Sequence, residues 1–486
     1  MHLNIIRSFI LNHWIFILSL LFVLINSIAV YLGFNYLIIT PVLLFFFYLA
    51  IYKLDTLIFI IVFFVPISIP VSYYYPNLNN DFFIPTEPLI FGIMVLFFLK
   101  LSIERKIERK ILLHPLSIVI YFNLFWILIT SLSSTMFVVS IKFFLVRLWY
   151  VTVFYFITAH LFSKFKNFKL FIWLYVISLF IVITYFFSRL SEYGLQNQIA
   201  SNWIVKPFYN DHTSYGAALA MLFPVLIGLS LLGKKIDAVR FIKWIVVLFF
   251  TVAIIFSYTR AAWVSLLVAF IALVLIISKI KLKYLLFFLS VVIAFFIINK
   301  NDIFYSLQRN NKGSSNDFVE HLKSISNISS DQSNLERINR WNSAIKMFYK
   351  KPLLGWGPGT YMFQYAPFQA CEDHTSISTN AGTGGNAHSE YLGPLAESGI
   401  LGILSFGAIV VTTIFFGVKS FNNAKRWKVK ILSIMIIIGL NTYYCHGFLN
   451  NFLDTDKLSV LFWGFTAMIV ALDVYHNKSE EPLKNN

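Results

Sequence analysis

The sequence predicts an all-α polytopic integral membrane protein with one large extracytoplasmic loop, and three observations predict it. Hydrophobic residues fill 58% of the 486 positions and charged residues only 13%, an inventory too apolar for the surface of a soluble protein. Apolar runs of roughly 17 to 25 residues recur along nearly the whole chain, each long enough to cross a hydrocarbon core of about 30 Å as a helix. Basic residues fall on alternate loops between these runs.

In chain order the runs are 11–32, 36–52, 54–72, 85–101, 114–132, 139–161, 168–187, 213–232, 241–257, 259–278, 282–298, 400–417, 430–448 and 457–475. They give about 12–14 transmembrane helices, since backbone groups in lipid must be satisfied within each segment and the alternation of a barrel strand is absent. The stretch after Arg7 is too long for the core of a cleavable signal and reads as a retained anchor.

A net charge of +17 raises the question of nucleic acid, and the placement of the 39 Lys and Arg answers it. With the N-terminus in the cytoplasm, 24 of them fall at cytoplasmic positions, including the groups between Lys100 and Lys110, Lys234 and Lys243, and Lys419 and Lys430. The basic balance is therefore topological and implies no nucleic acid. Both termini are cytoplasmic on this count, and the segments 188–212 and 299–390 lie outside. The chain divides into an N-terminal bundle of about 11 helices over 1–298, an outer loop with surface helices over 299–399, and C-terminal transmembrane helices with a short cytoplasmic tail over 400–486.

Within the outer loop, Ser333 to Lys351 carries helix signals throughout. Ser333 and Glu336 fit a capping box, Leu335, Ile338, Trp341, Ile345 and Phe348 recur at helical spacing, and Pro352 stops the run. Arg337 and Arg340 project from one side of that helix. Gly355-Trp356-Gly357-Pro358-Gly359 follows, either presenting amides to an anion or making a tight turn between loop helices. It is not a nucleotide-binding loop, because no Gly-Lys-Ser/Thr follows. Residues 388–398 read as a short surface helix, with the span beginning after Gly399.

Ionisable residues at membrane depth need a reason. Arg260 lies in a tight turn between two apolar runs, where it either snorkels to headgroups or binds an anion. Arg147 lies deeper, five residues after Lys142. His388 has the ordinary pKa of a general base, with Glu390 and Glu397 close enough in sequence to orient it. Asp211 and His212 precede a span on the same face, as substrate contacts or as its cap. Glu372, Asp373 and His374 lack a second ligand cluster, so no metal site is expected. Cys371 and Cys445 set no disulfide framework.

In order along the chain, Thr259-Arg260, Arg340-Trp341, Pro352 to Gly359, His388-Ser389-Glu390-Tyr391-Leu392 and Glu397 to Gly402 resemble the O-antigen ligase and O-antigen polymerase superfamily of bacterial membrane proteins. The resemblance covers roughly 240–420. It implies an inverting, cofactor-free and metal-free glycosyltransferase in the inner membrane with a periplasmic active site. Its expected partners are an undecaprenyl-pyrophosphate-linked polysaccharide donor, a lipid A-core or other hydroxyl acceptor, and membrane lipids. The resemblance assigns catalysis to His388, as the base or acceptor-orienting group, and to Arg260 and Arg340, as holders of the pyrophosphate; Arg147, placed by its membrane depth, and Arg337, Glu390, Glu397, Asp211 and His212 are the further candidate substrate contacts. Ser389 stands where many members have Asn, and fourteen runs exceed the usual dozen. One large outer loop favours a ligase over a polymerase. A ligase acting on protein hydroxyls and a transporter of lipid-linked glycan are the alternatives, the latter opposed by the absence of paired halves.

Overall fold

The computed structural model describes residues 2–75, 82–104, 109–232, 238–279, 332–371, 378 and 385–477. It falls into two compact units, Met1–Ile60 and Ile61–Asn486. The first holds α1 (His2–Tyr31) and α2 (Thr40–Tyr52), and the chain leaves it along α3 (Leu54–Phe64).

The second unit contains α4 (Thr86–Glu104), α5 (Pro115–Leu132), α6 (Phe137–Val151), α7 (Lys166–Tyr193), α8 (His212–Leu231), α9 (Ala238–Phe256) and α10 (Arg260–Ile277). The loop helix α11 (Gln332–Lys350) and the C-terminal helices α12 (Leu392–Asn423), α13 (Trp427–His446) and α14 (Asp456–Ala471) complete it. Among the described residues nine helices are long and apolar enough to cross a membrane: α5 to α10 and α12 to α14. Phe16–Tyr31, Leu37–Tyr52 and Leu54–Ile67 are shorter apolar helices, and α4 covers the run expected at 85–101. The run at 282–298 lies outside the described residues. The protein is an all-α, multi-pass membrane protein.

Burial sorts the helices. α8, α13 and α14 are the most enclosed, whereas α9 and α10 keep most of their apolar surface outward. Polar groups set the ends. His114 accepts the Leu116 amide on Nδ1 (3.2 Å) at the start of α5, with Pro115 at the first helical position. Asp211 caps α8, its Oδ1 accepting the Ser214 amide and the Thr213 hydroxyl, both at 2.8 Å.

The outer-loop helix turns an unexpected face inward. Glu336, Asn339, Arg340, Ser343, Ala344 and Met347 are buried, while Leu335, Ile338 and Trp341 are half-buried and Ile345 is exposed. The buried face packs with Tyr361, Tyr365, Ala387 and Ala396, so this helix spends its polar side on holding the loop together. The Ser333 side chain lies outside those described, and Pro352 ends the helix as expected.

The glycine-rich turn docks on the start of α12. Trp356 N donates to Ala396 O (3.2 Å), Gly357 N to Glu397 O (2.8 Å) and Ile400 N to Pro352 O (2.9 Å). These amides are taken by the chain itself, which decides for a structural turn over an anion cradle. Gly355 (φ 67°) and Gly399 (φ 68°) make the approach possible, because a Cβ on either would overlap a carbonyl of the other segment, Glu397 and Leu353 respectively. Gly399 also breaks α12 into a surface portion and the span proper. Gly399→Ala is expected to destabilise the protein by at least about 2 kcal/mol, seen as a lower thermal midpoint in detergent. An unchanged midpoint would refute the close approach.

Candidate active site

The segment 385–391 is the structural centre of the outer loop. His388 has φ 47°, a left-handed conformation rare for a residue with a side chain, and its amide donates to Asn386 Oδ1 (3.0 Å). The expected helix at 388–398 therefore begins only at Leu392. Ser389 Oγ accepts the amides of Tyr391 (3.2 Å) and Leu392 (3.3 Å), which gives that serine a capping role. Glu390 anchors the segment from below: its Oε1 accepts Tyr443 Oη (2.7 Å), Phe452 N (2.8 Å) and Leu453 N (3.0 Å), and its own amide donates to Gly447 O (2.7 Å).

Arg340 fixes the segment from α11. Its Nε donates to Glu336 Oε1 (2.7 Å), its Nη1 donates to Asn386 O (3.1 Å), and its guanidinium lies 5.1 Å from the centre of the Tyr365 ring. Burial lowers the His388 pKa to about 4, and the nearby charges of Arg337 and Arg340 push in the same direction. The imidazole is thus neutral at neutral pH, as a base requires.

On one side of His388 lies a cationic group. Thr259 Oγ1 donates to His212 O (2.8 Å), tying the start of α10, where Arg260 is the first residue, to the start of α8. Tyr258, just before this turn, is also left-handed (φ 49°). Arg337 reaches the same region from α11, donating Nε to Leu449 O (3.2 Å). Burial and the Arg260 charge bring the Arg337 pKa down to about 10, against an opposing pull from Asp211. Among the described residues, Arg260 and Arg337 therefore stand near the Asp211 carboxylate at neutral pH. Burial pushes Asp211 up, but the bonds from Ser214 and Thr213 outweigh it and keep the carboxylate ionised.

On the other side is a cavity of about 1380 Å³, walled by α4, α6, the turn after Gly359 and the segment 385–397. His388, Arg340, Arg147, Glu390 and Glu397 all line it. Arg147 Nη2 donates to Asp454 Oδ1 (3.2 Å), and Glu397 Oε1 accepts the Tyr361 amide (2.9 Å). Arg260, Arg337, Asp211 and His212 do not line it, so the sequence-derived residues form two groups that meet at His388.

Residues 245–407 match the family model described as O-antigen ligase. The match covers about a third of the chain, which is similar to that family over those residues. No curated protein matches the chain. At a coarse level the match supports a glycosyl-transferring membrane enzyme. The matched residues include Arg260, Arg337, Arg340, His388, Glu390 and Glu397, whereas Arg147, Asp211 and His212 precede them. Asn451 and Asp454, which line the same cavity from beyond the matched residues, went unrecognised in the sequence. Their signal was available: Asn450-Asn451-Phe452-Leu453-Asp454-Thr455-Asp456 is a polar interruption between two spans. Glu372, Asp373 and His374 lie outside the described residues.

Proposed function

We propose that this protein transfers a glycan from undecaprenyl pyrophosphate to a hydroxyl of lipid A-core on the periplasmic face of the inner membrane, with inversion and without metal. The observation that carries the reading is His388, held neutral in a left-handed turn at the wall of a large cavity, with the charges of Arg337 and Arg340 nearby. Strained backbone at a cavity wall is a mark of a site held in place by its surroundings.

In this reaction the acceptor oxygen attacks the anomeric carbon from the face opposite the pyrophosphate. The carbon–oxygen bond to the carrier breaks, and the pyrophosphate departs with the bonding electrons. The acceptor proton passes to the His388 imidazole, whose neutral state leaves it able to accept. Arg260 and Arg337 stabilise the negative charge that grows on the leaving group, and a guanidinium fork matches phosphate oxygens. Arg340 acts as a positioning residue by holding Asn386 and lends its charge to the cavity wall.

Deleting the gene in its host and resolving surface polysaccharides beside lipid A-core tests the assignment. Loss of long chains from the core, with polymer retained on its lipid carrier, is the expected result. Single repeats still attached to the core would make the enzyme a polymerase, and an unchanged profile would remove both readings.

A further inference from the structure

The charges on the two sides of His388 differ in kind. The cavity is lined by four carboxylates, Glu87, Glu390, Glu397 and Asp454, against the cations Lys142, Arg147 and Arg340. Arg337, whose charge reaches His388 from the other group, does not line it, and neither does Arg260. A neutral, hydroxyl-rich ligand suits the cavity, since carboxylates and amides accept from hydroxyls and Arg donates to them.

The loop between α13 and α14 supplies the polar groups. Asp454 keeps 45% of its side chain exposed while its Oδ1 pairs with Arg147, so the carboxylate has room for a second donor. Asn451 also lines the cavity, and its amide oxygen has no hydrogen-bond partner among the described residues. Phe91, Phe143 and Trp149 also line the cavity. Apolar rings together with carboxylate and amide groups in one cavity form a surface for a sugar, whose ring faces are apolar and whose edges carry hydroxyls.

We infer that this cavity is the acceptor subsite, in which Asp454, Asn451 and Arg147 hold the hydroxyls of a sugar ring and present one of them to His388. The inference rests on the transferase reading and adds which substrate occupies which side. It requires no change in the donor's position near Arg260 and Arg337.

The test uses the full chain purified in detergent, an undecaprenyl-pyrophosphate-linked glycan as donor, lipid A-core from the host as acceptor, and inorganic pyrophosphate as a competitor of the donor. Asp454→Asn and Asn451→Ala are each expected to raise the acceptor KM about tenfold or more, the usual effect of losing a hydrogen bond to a charged or buried polar group. Donor KM and pyrophosphate inhibition should stay within about twofold of wild type. Asn451→Ala guards against misfolding of the other variant, because its amide oxygen makes no bond among the described residues to lose. A rise in donor KM with the acceptor KM unmoved would place the donor in this cavity and overturn the inference, as would two variants that move neither. A wild-type chain that turns over no donor would instead remove the transferase reading itself.

Discussion

Replacing His388 is expected to lower glycan transfer by about 10²- to 10⁴-fold, the range for losing a general base. His388→Asn is the more informative variant than His388→Ala. Asparagine tolerates the left-handed backbone recorded at this position, φ 47°, so the loop keeps its shape while the base is gone. The wild-type pH profile offers a second check. Burial, with Arg337 and Arg340, holds the imidazole at about 4, so kcat/KM, which reports the free enzyme, should show no acid limb near 6.5. It should fall only as the pH approaches 4. A bound pyrophosphate favours the imidazolium and moves the limb of kcat upward. The same shift carries a stability cost in acid. The unfolded chain takes up this proton at about 6.5 and the folded chain only at about 4, so stability falls as the pH drops from 6.5 and the loss is complete below 4. Wild-type rates in both variants would put the base elsewhere.

Arg260→Ala should cost about 10²- to 10³-fold in transfer, comparable to removing one preorganised charge-stabilising donor. Its place as the first residue of α10 is fixed by the Thr259 hydroxyl on His212 O, so the loss should come with intact expression. At that place it and Arg337 hold like charges together in a half-buried setting, an arrangement that an arriving anion relieves. Arg260→Lys should also fail largely, because an ammonium keeps the charge but not the planar pair of donors. Full activity in the lysine variant would reduce Arg260 to a point charge. Pyrophosphate inhibition should weaken in both variants, and undiminished inhibition would separate Arg260 from the leaving group.

Several of these features were legible before any coordinates. Helix in lipid follows from composition and backbone chemistry, and the expected spans within the described residues fall mainly on helix, although 54–72 runs on past Ile67 into a two-residue strand at Ile69–Pro70. The break at Gly399 and the stop at Pro352 were legible too, since both are local backbone effects. The role of the glycine-rich turn was not, because the partners of its amides are carbonyls some forty residues onward. Nor was the inward face of α11. Hydrophobic spacing marks a helix, but here the polar face is the one covered, by a turn and a histidine loop whose approach spacing alone does not encode. Asp211 read first as a cap and second as a ligand, and its bonds to Ser214 and Thr213 show the cap. Asp454 was overlooked because its partner, Arg147, lies more than three hundred residues earlier.

The central claim is that the outer loop performs chemistry on a lipid-linked glycan, and reconstitution tests it most directly. The purified chain is placed in liposomes with undecaprenyl-pyrophosphate-linked glycan and lipid A-core, with no ion gradient, and release of undecaprenyl pyrophosphate is followed. Wild-type protein is expected to release the carrier and glycosylate the acceptor, while His388→Asn does neither. Strict dependence on a gradient, or equal turnover by the variant, would contradict the account.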